Sequence, residues 1–401
     1  MLTATELLQE LLKRARPLTE QVTLPLERGL GGVLARGVSS RVTVPPLDSS
    51  AMDGYAVRAA DCVAPGVSLP VSQRIAAGQV GQPLLPGTAA RIFTGAPIPA
   101  GADAVVMQED ACSAGEAVSI QRIPALGQHI RRAGEDLRAQ DEVLAPGTRL
   151  SAADIGLAAA AGATELNLVR RLKVALFSTG DELAEPGQPL APGQIYNSNR
   201  AALKALLAGL PVDSLDLGVV ADTREATLDA LRQAAASADV ILSTGGVSVG
   251  EEDHVKAAVE TLGRLDLWKV AMKPGKPLAY GRIGAADFLG LPGNPVSSFA
   301  TFCLFARPFL LKRMGASQVL YRAYPVRAAH DWPRNGGRRE FLRALLVTGA
   351  DGRGEVRFYP NQGSGVLSSV SWADGFVDLA PETAVRRGDC LRFIPFSEVL
   401  G

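Results

Sequence analysis

Cysteine and histidine are scarce in this sequence, with four Cys and three His among 401 residues. Cys62, Cys112, Cys303 and Cys390 are scattered, no Cys-x-x-Cys pair occurs, and only His129, His254 and His330 are on hand as imidazole partners. Neither a zinc site nor a disulfide framework is expected. Charge of one sign is missing too. Lys plus Arg and Asp plus Glu both total 41, giving a formal net charge of zero, and no block of like charge stands out. This argues against a nucleic-acid partner or an acidic membrane surface. No apolar run is long enough to span a bilayer: "FATFCLFARPFLL" is short and broken by Arg307 and Pro308, and reads as a core helix. The opening "MLTATELLQELLKRA" carries Glu6 and Glu10 and has no basic start followed by an apolar middle. It reads as an amphipathic helix capped by Thr3 or Thr5, and a cytoplasmic location is the default expectation.

What is present is an ordinary globular composition in a chain long enough for about two to four domains. Residues 19–150 are dense in Val, Pro and Gly, with short alternating runs such as "VSIQRI" and turn signals such as "LPG" and "APG". They predict a β-rich region. "SAADIGLAAAAGA" follows as a helix with Ser151 at its N-cap, Asp154 three residues on and Gly162 at its end. From about residue 172 the apolar runs "LKVALFS", "VDSLDLGVV" and "ADVILS" alternate with the helical "NRAALKALLAGL" and "TREATLDALRQAAAS". That rhythm predicts an α/β fold with a doubly wound parallel sheet. A longer helix ends this region near residue 315, and "EVRFYP" and "DCLRFIPF" predict a small C-terminal β domain.

In an open parallel sheet, ligands bind beyond the carboxyl ends of the strands. The loops at those ends are rich in Gly and acids: "STGDEL" supplies Ser178, Thr179, Gly180, Asp181 and Glu182; "ADTRE" supplies Asp222; "STGGVSVGEED" supplies Gly245, Gly246, Ser248, Gly250 and Asp253. A late strand, "FLGL", runs into Pro292, Gly293, Asn294 and Pro295 of "PGNPVSS". Taken singly, Glu251 and Glu252 also read as helix-start acids and Asp222 as an N-cap. No Walker loop or full dinucleotide fingerprint occurs. The coincidence of carboxylates with Gly-rich backbone donors at several strand ends points to an anion held together with a hard divalent cation such as Mg²⁺. Nearby, "WKVAMKPGKPLAYG" supplies Lys269, Lys273 and Lys276. The stretch is strand-like and the four-residue spacing predicts that Lys269 and Lys273 share a side, where they contact the anion.

These residues, with "PPLDSSAMDGYAVR", "RIFTGAPIPAGADAVVMQED", "IRRAGED" and "KPGKP", resemble molybdopterin molybdenumtransferases, the MoeA family related to the C-terminal domain of gephyrin. The resemblance runs over essentially the whole chain. It implies an elongated homodimer of four-part subunits: a linker domain of residues 1–45 plus 138–170, an inserted β-rich domain 46–137, an α/β molybdopterin-binding domain 171–316 and a C-terminal β domain 317–401. It implies insertion of molybdenum from molybdate into adenylylated molybdopterin with release of AMP, accompanied by Mg²⁺. The catalytic positions it marks are Asp53, Thr94, Asp136, Glu182, Asp222, Asp253, Lys269 and Lys273, with Glu182, Asp222 and Asp253 as the metal-binding acids. Pro292 and Pro295 also match, and Arg338 of "GGRREF" and Ser364 of "NQGSGV" are the C-terminal domain's contribution. The site is expected between subunits, with Asp53, Thr94 and Asp136 facing the partner's α/β loops; a transient contact with the molybdopterin adenylyltransferase is a further expectation. Ser49 stands where Asn is usual, and His254 where an aromatic is common.

Two other functions fit parts of the chain. A molybdopterin adenylyltransferase has a similar α/β domain, but the flanking regions with Asp53, Thr94 and Asp136 argue against it. A non-catalytic, gephyrin-like scaffold would have dispensable acids, whereas this sequence retains each acid of the set.

Overall fold

The computed structural model describes residues 1–246 and 254–400. At its centre lies a six-stranded sheet in the order Val212–Val220, Leu172–Thr179, Val240–Thr244, Ala286–Leu291, Pro277–Ile283 and Arg264–Lys269. The first four strands run parallel, as the alternating apolar and helical runs predict. An antiparallel pair extends the edge. Ile283 pairs with Ala286 across a tight turn through Gly284, and strands joined that closely must run antiparallel.

Both faces of the sheet are covered, which is why its central strands Leu172–Thr179, Val240–Thr244 and Ala286–Leu291 are mainly apolar and buried. Ala175 and Phe177 point to one face, against Leu228, Leu231 and Ala234 of helix Arg224–Ser237 and Val255, Ala258 and Val259 of helix His254–Leu262. Val174 and Leu176 point to the other, following the two-residue period of a strand. That second face receives Leu203, Leu206 and Leu207 of helix Ser198–Ala208 and the first helix, Ala4–Arg14. The first helix starts at Thr3 through a reciprocal capping box with Glu6, and its spacing of Ala4, Leu7 and Leu11 makes one buried stripe. The apolar run near residue 300 is a continuous helical segment, Pro295–Thr301 and Arg307–Arg313, joined by a π-helical turn at Phe302–Ala306. Pro308 lacks the N–H that a regular turn there requires.

Ahead of this unit the chain runs out and back. Gln21–Pro25 pairs with Glu165–Val169, and Val38–Ser39 with Glu142–Leu144. Ser151 caps helix Ala152–Ala160 with Asp154. Between these ladders lies a second six-stranded sheet in which Tyr55, Val57 and Val106 face one apolar cluster and Ala56, Ile92 and Val105 the other. After the central unit, strands Tyr324–Ala328, Arg339–Thr348, Gly354–Phe358, Gly375–Leu379 and Cys390–Pro395 form a small barrel, closed because Arg339–Thr348 also pairs with Gly375–Leu379. Closure removes exposed strand edges. One short strand of the central unit, Met272–Lys273, joins the barrel beside Arg339 and Glu340.

Helix Ser198–Ala208 is tied to the sheet by Asp216, which receives two bonds from Arg200 (2.7 and 2.8 Å), one from Lys204 (2.7 Å) and the Gly218 amide (3.1 Å). Burial opposes ionisation of Asp216, but the bonds from Arg200 and Lys204 outweigh it and hold the carboxyl well below its usual range. A depressed carboxyl contributes stability that is present above its unfolded pKa and disappears as pH falls through the folded value. Denaturant titrations should therefore show Asp216→Asn less stable than the native chain at pH 7 by about 1–3 kcal/mol, with the gap narrowing below about pH 4. A gap independent of pH would remove Asp216 from this role.

Candidate active site

The parallel register brings the strand ends level. Ser178 lies opposite Thr244, Thr179 opposite Val220, and Thr244 opposite Leu291. The Ser178 and Thr244 hydroxyls are 2.8 Å apart and buried, and Thr179 Oγ1 donates to Asp222 Oδ1 at 3.0 Å. Next comes Gly245, at φ +88, where a Cβ would stand 2.5 Å from the Thr179 carbonyl oxygen, so only glycine fits this approach of backbone to backbone. Gly293 packs against Gly245, and its carbonyl accepts from Asn199 Nδ2 at 2.6 Å.

Above these ends opens a cleft of about 640 Å³, within the range of small-molecule sites. Its floor is Gly245, Gly246, Pro292, Gly293, Asn294 and Pro295; Lys273, Lys276 and Arg338 supply positive charge and Glu182 a carboxylate. Ser364 of the barrel completes the wall, and its carbonyl accepts from the Val296 amide at 2.9 Å. Helices Ser198–Ala208 and Pro295–Thr301 both begin at the cleft, adding the positive ends of two dipoles. The arrangement suits a phosphate-bearing ligand.

Among the described residues the Glu182 side chain makes no hydrogen bond or ion pair, and Asp222 bonds only the Thr179 hydroxyl. Both offer hard oxygen donors for a cation such as Mg²⁺. No group of three acidic, His or Cys side chains able to hold a metal occurs among the described residues. Asp253, the third acid assigned to the metal, lies outside them with Ser248 and Gly250.

Several sequence expectations need adjustment. Lys269 and Lys273 do not share one strand. Lys269 ends the antiparallel edge strand opposite Pro277, and Lys273 belongs to the strand that joins the barrel. The chain turns between them, where Leu2 bridges Val270 and the Ala271 amide donates to the Leu2 carbonyl. Only Lys273 lines the cleft. The Ser178 and Thr179 side chains are buried beneath the cleft and bond neighbouring strand ends. Gly180 also lies outside the lining, with the Glu182 carboxylate folded over it. In the β-rich sheet Asp53 accepts from the Thr94 amide and hydroxyl, both at 2.8 Å, and these bonds hold its carboxyl below the usual range. Asp136 is exposed, its amide bonded to the Val44 carbonyl. None of these three lines the cleft of its own chain.

Residues 2–162 match the MoeA N-terminal region (domain I and II), 175–312 a probable molybdopterin binding domain, and 325–396 the MoeA C-terminal region (domain IV). The molybdopterin molybdenumtransferase of Haemophilus influenzae is 37% identical over 405 residues, covering 100% of both chains. The chain belongs to the MoeA family. A second family member, molybdopterin molybdenumtransferase 2 of Mycobacterium tuberculosis, is 38% identical over 389 residues, with 94% of each chain covered. The crystal structure of the MoeA protein from Pyrococcus horikoshii OT3 superposes with a TM-score of 0.83 at 28% identity, covering 98% of this chain and 100% of that one. The MoeA match therefore includes the β-rich region with Asp53 and Thr94, and the barrel with Arg338 and Ser364.

Sequence reasoning missed the wall formed by Ile195, Tyr196, Asn197, Ser198 and Asn199. Asn197 caps its helix by accepting from the Arg200 amide at 3.1 Å, and the "YNSN" stretch is legible as a helix start but not as a cleft wall. If the lysine serves the ligand more than the fold, Lys273→Ala should weaken AMP binding, more at low salt than at high, with only a modest fall in melting temperature from the lost Glu340 contact. Calorimetric titration beside a thermal melt checks this; lost stability with intact binding would make Lys273 a structural residue.

Proposed function

We propose that this protein transfers molybdenum from molybdate into adenylylated molybdopterin, releasing AMP, in molybdenum cofactor biosynthesis. One observation carries the reading: in a chain matching molybdenumtransferases end to end, the strand-end glycines, Lys273, Lys276, Arg338 and the free carboxylate of Glu182 meet in one cleft. End-to-end similarity favours this function over adenylyl transfer to molybdopterin and over a non-catalytic scaffold.

In the proposed reaction an oxygen of molybdate attacks the AMP phosphorus of the anhydride and the bridging P–O bond breaks, freeing the pterin phosphate. The dithiolene sulfurs then bind molybdenum as its bond to that oxygen breaks, so that AMP leaves carrying the oxygen and a second molybdate oxygen leaves as water with the two thiol protons. Gly246 and Asn294 offer backbone amides to the phosphates, and Lys273, Lys276 and Arg338 offset the charge that develops on the leaving group. Glu182 and Asp222, with Asp253, would hold Mg²⁺, which when bound neutralises the diphosphate bridge. The Thr179 hydroxyl keeps Asp222 turned toward the strand ends. Burying polar groups of a well-ordered strand end limits the reorganisation needed when charge moves.

In this reading Asp53, Thr94 and Asp136 face the cleft of a second subunit, and the active unit is a homodimer. The protein works in the cytoplasm and takes its nucleotide substrate from a transient contact with the adenylyltransferase. Among the described residues, no helix is long and apolar enough to cross a membrane.

Single-turnover AMP release from adenylylated molybdopterin and molybdate tests the chemistry: Asp222→Asn should slow it by roughly a hundredfold or more while the fold survives. ATP-dependent adenylylation without such release would contradict it. Subunit sharing has its own test. Asp53→Ala and Asp222→Ala chains, each inactive alone, should recover activity when mixed, through hybrid dimers with one intact site. No recovery after demonstrated subunit exchange would mean that each site is complete within one chain.

A further inference from the structure

Glu340 is an acid that neither the proposed chemistry nor the metal site uses. It lies on the barrel strand Arg339–Thr348, is only 7% exposed, and stands directly opposite Lys273 in the pairing of that strand with Met272–Lys273. Its Oε1 accepts from Lys273 Nζ at 3.2 Å, and the lysine remains 45% exposed toward the cleft. A carboxylate taken out of water needs a partner, and an ammonium on a flexible four-carbon stem needs a fixed acceptor to stay in one place.

The surroundings favour a positional role. Arg343, fully buried on the same strand, donates to Ser369 Oγ at 3.0 Å and to the Gly363 carbonyl at 3.2 Å, and its amide donates to Gln362 Oε1 at 2.9 Å. These bonds fix the backbone just before Ser364, the barrel residue in the cleft wall. Burial lowers the Arg343 pKa to about 10, with the nearby Glu340 charge acting against that fall. One strand therefore steadies two parts of the cleft, the ammonium through Glu340 and the Ser364 loop through Arg343.

We propose that Glu340 is a positioning residue, which holds the Lys273 ammonium at the edge of the cleft where the phosphate bridge of the substrate lies. This rests on the reading of the cleft as a molybdenum-transfer site. Glu340 does not touch substrate in this account; it acts through Lys273, and its effect vanishes when the lysine does.

A double-mutant cycle tests it, using the full chain as native protein, Glu340→Gln, Lys273→Ala and the pair. Single-turnover AMP release, AMP affinity by calorimetry and thermal melting are read on each. Glu340→Gln should slow AMP release by roughly tenfold to a hundredfold, yet change it less than about twofold when Lys273 is already Ala. Losses that multiply in the pair, or unchanged release in Glu340→Gln, overturn the proposal. Glu340→Asp, which keeps the charge but withdraws it by one methylene, should fall between, and serves if the Gln variant does not fold. Failure of both to fold assigns Glu340 to the barrel's stability alone and also overturns it. If native protein releases no AMP, the proposed reaction fails, while the same non-additivity in AMP affinity still decides whether Glu340 acts through Lys273.

Discussion

Parallel strands buried on both faces tolerate essentially one register, and the cleft depends on that register. A slip by one residue would exchange the residues that face the two helix layers, moving Phe177 away from Val255 and Ala258 and Leu176 away from Leu203 and Leu207. The same slip would separate Ser178 from Thr244 and Thr179 from Asp222. Packing far from the ligand thus sets where the glycine loops and carboxylates end. The hydroxyl bonds at the strand ends are the last step of that alignment, made where the sheet gives way to the cleft.

The second constraint is the joint between the α/β unit and the barrel. Met272–Lys273 leaves the central sheet and pairs with the barrel, and Ser364 of the barrel bonds the first turn of helix Pro295–Thr301. Arg338, Ser364 and Lys273 line one space because these contacts cross from one unit to the other in both directions. A ligand in the cleft touches both units, so the barrel is a wall of the site and not an appendage to it.

Local signals were legible in the sequence. The capping boxes at Thr3 and Ser151, the apolar strands around Ala175 and Ile241, and the glycines after Thr244 follow from period and cap chemistry acting within a few residues. The chain turn between Lys269 and Lys273 was hidden, because an apolar stretch such as "KVAMK" has the same period whether it continues a strand or crosses between sheets. The Asn197 to Asn199 wall and the Glu340 contact were hidden for a related reason: a helix cap or a barrel acid becomes part of a site only through tertiary contacts. Asp53 and Thr94 are a further case. Their mutual bonds are local to the β-rich sheet, and nothing in that geometry alone assigns them to catalysis; the family resemblance did.

In the proposed reaction the phosphates of the substrate lie beyond the aligned strand ends, between the glycine loops and Lys273. Hydrogen–deuterium exchange of the native protein with and without saturating AMP reads this directly, residue segment by residue segment. Exchange should slow in segments 178–182, 243–246, 273–276 and 292–295 together, with the outer edge of the β-rich sheet unchanged. Protection confined to other segments, or none at AMP concentrations that saturate binding, would contradict it.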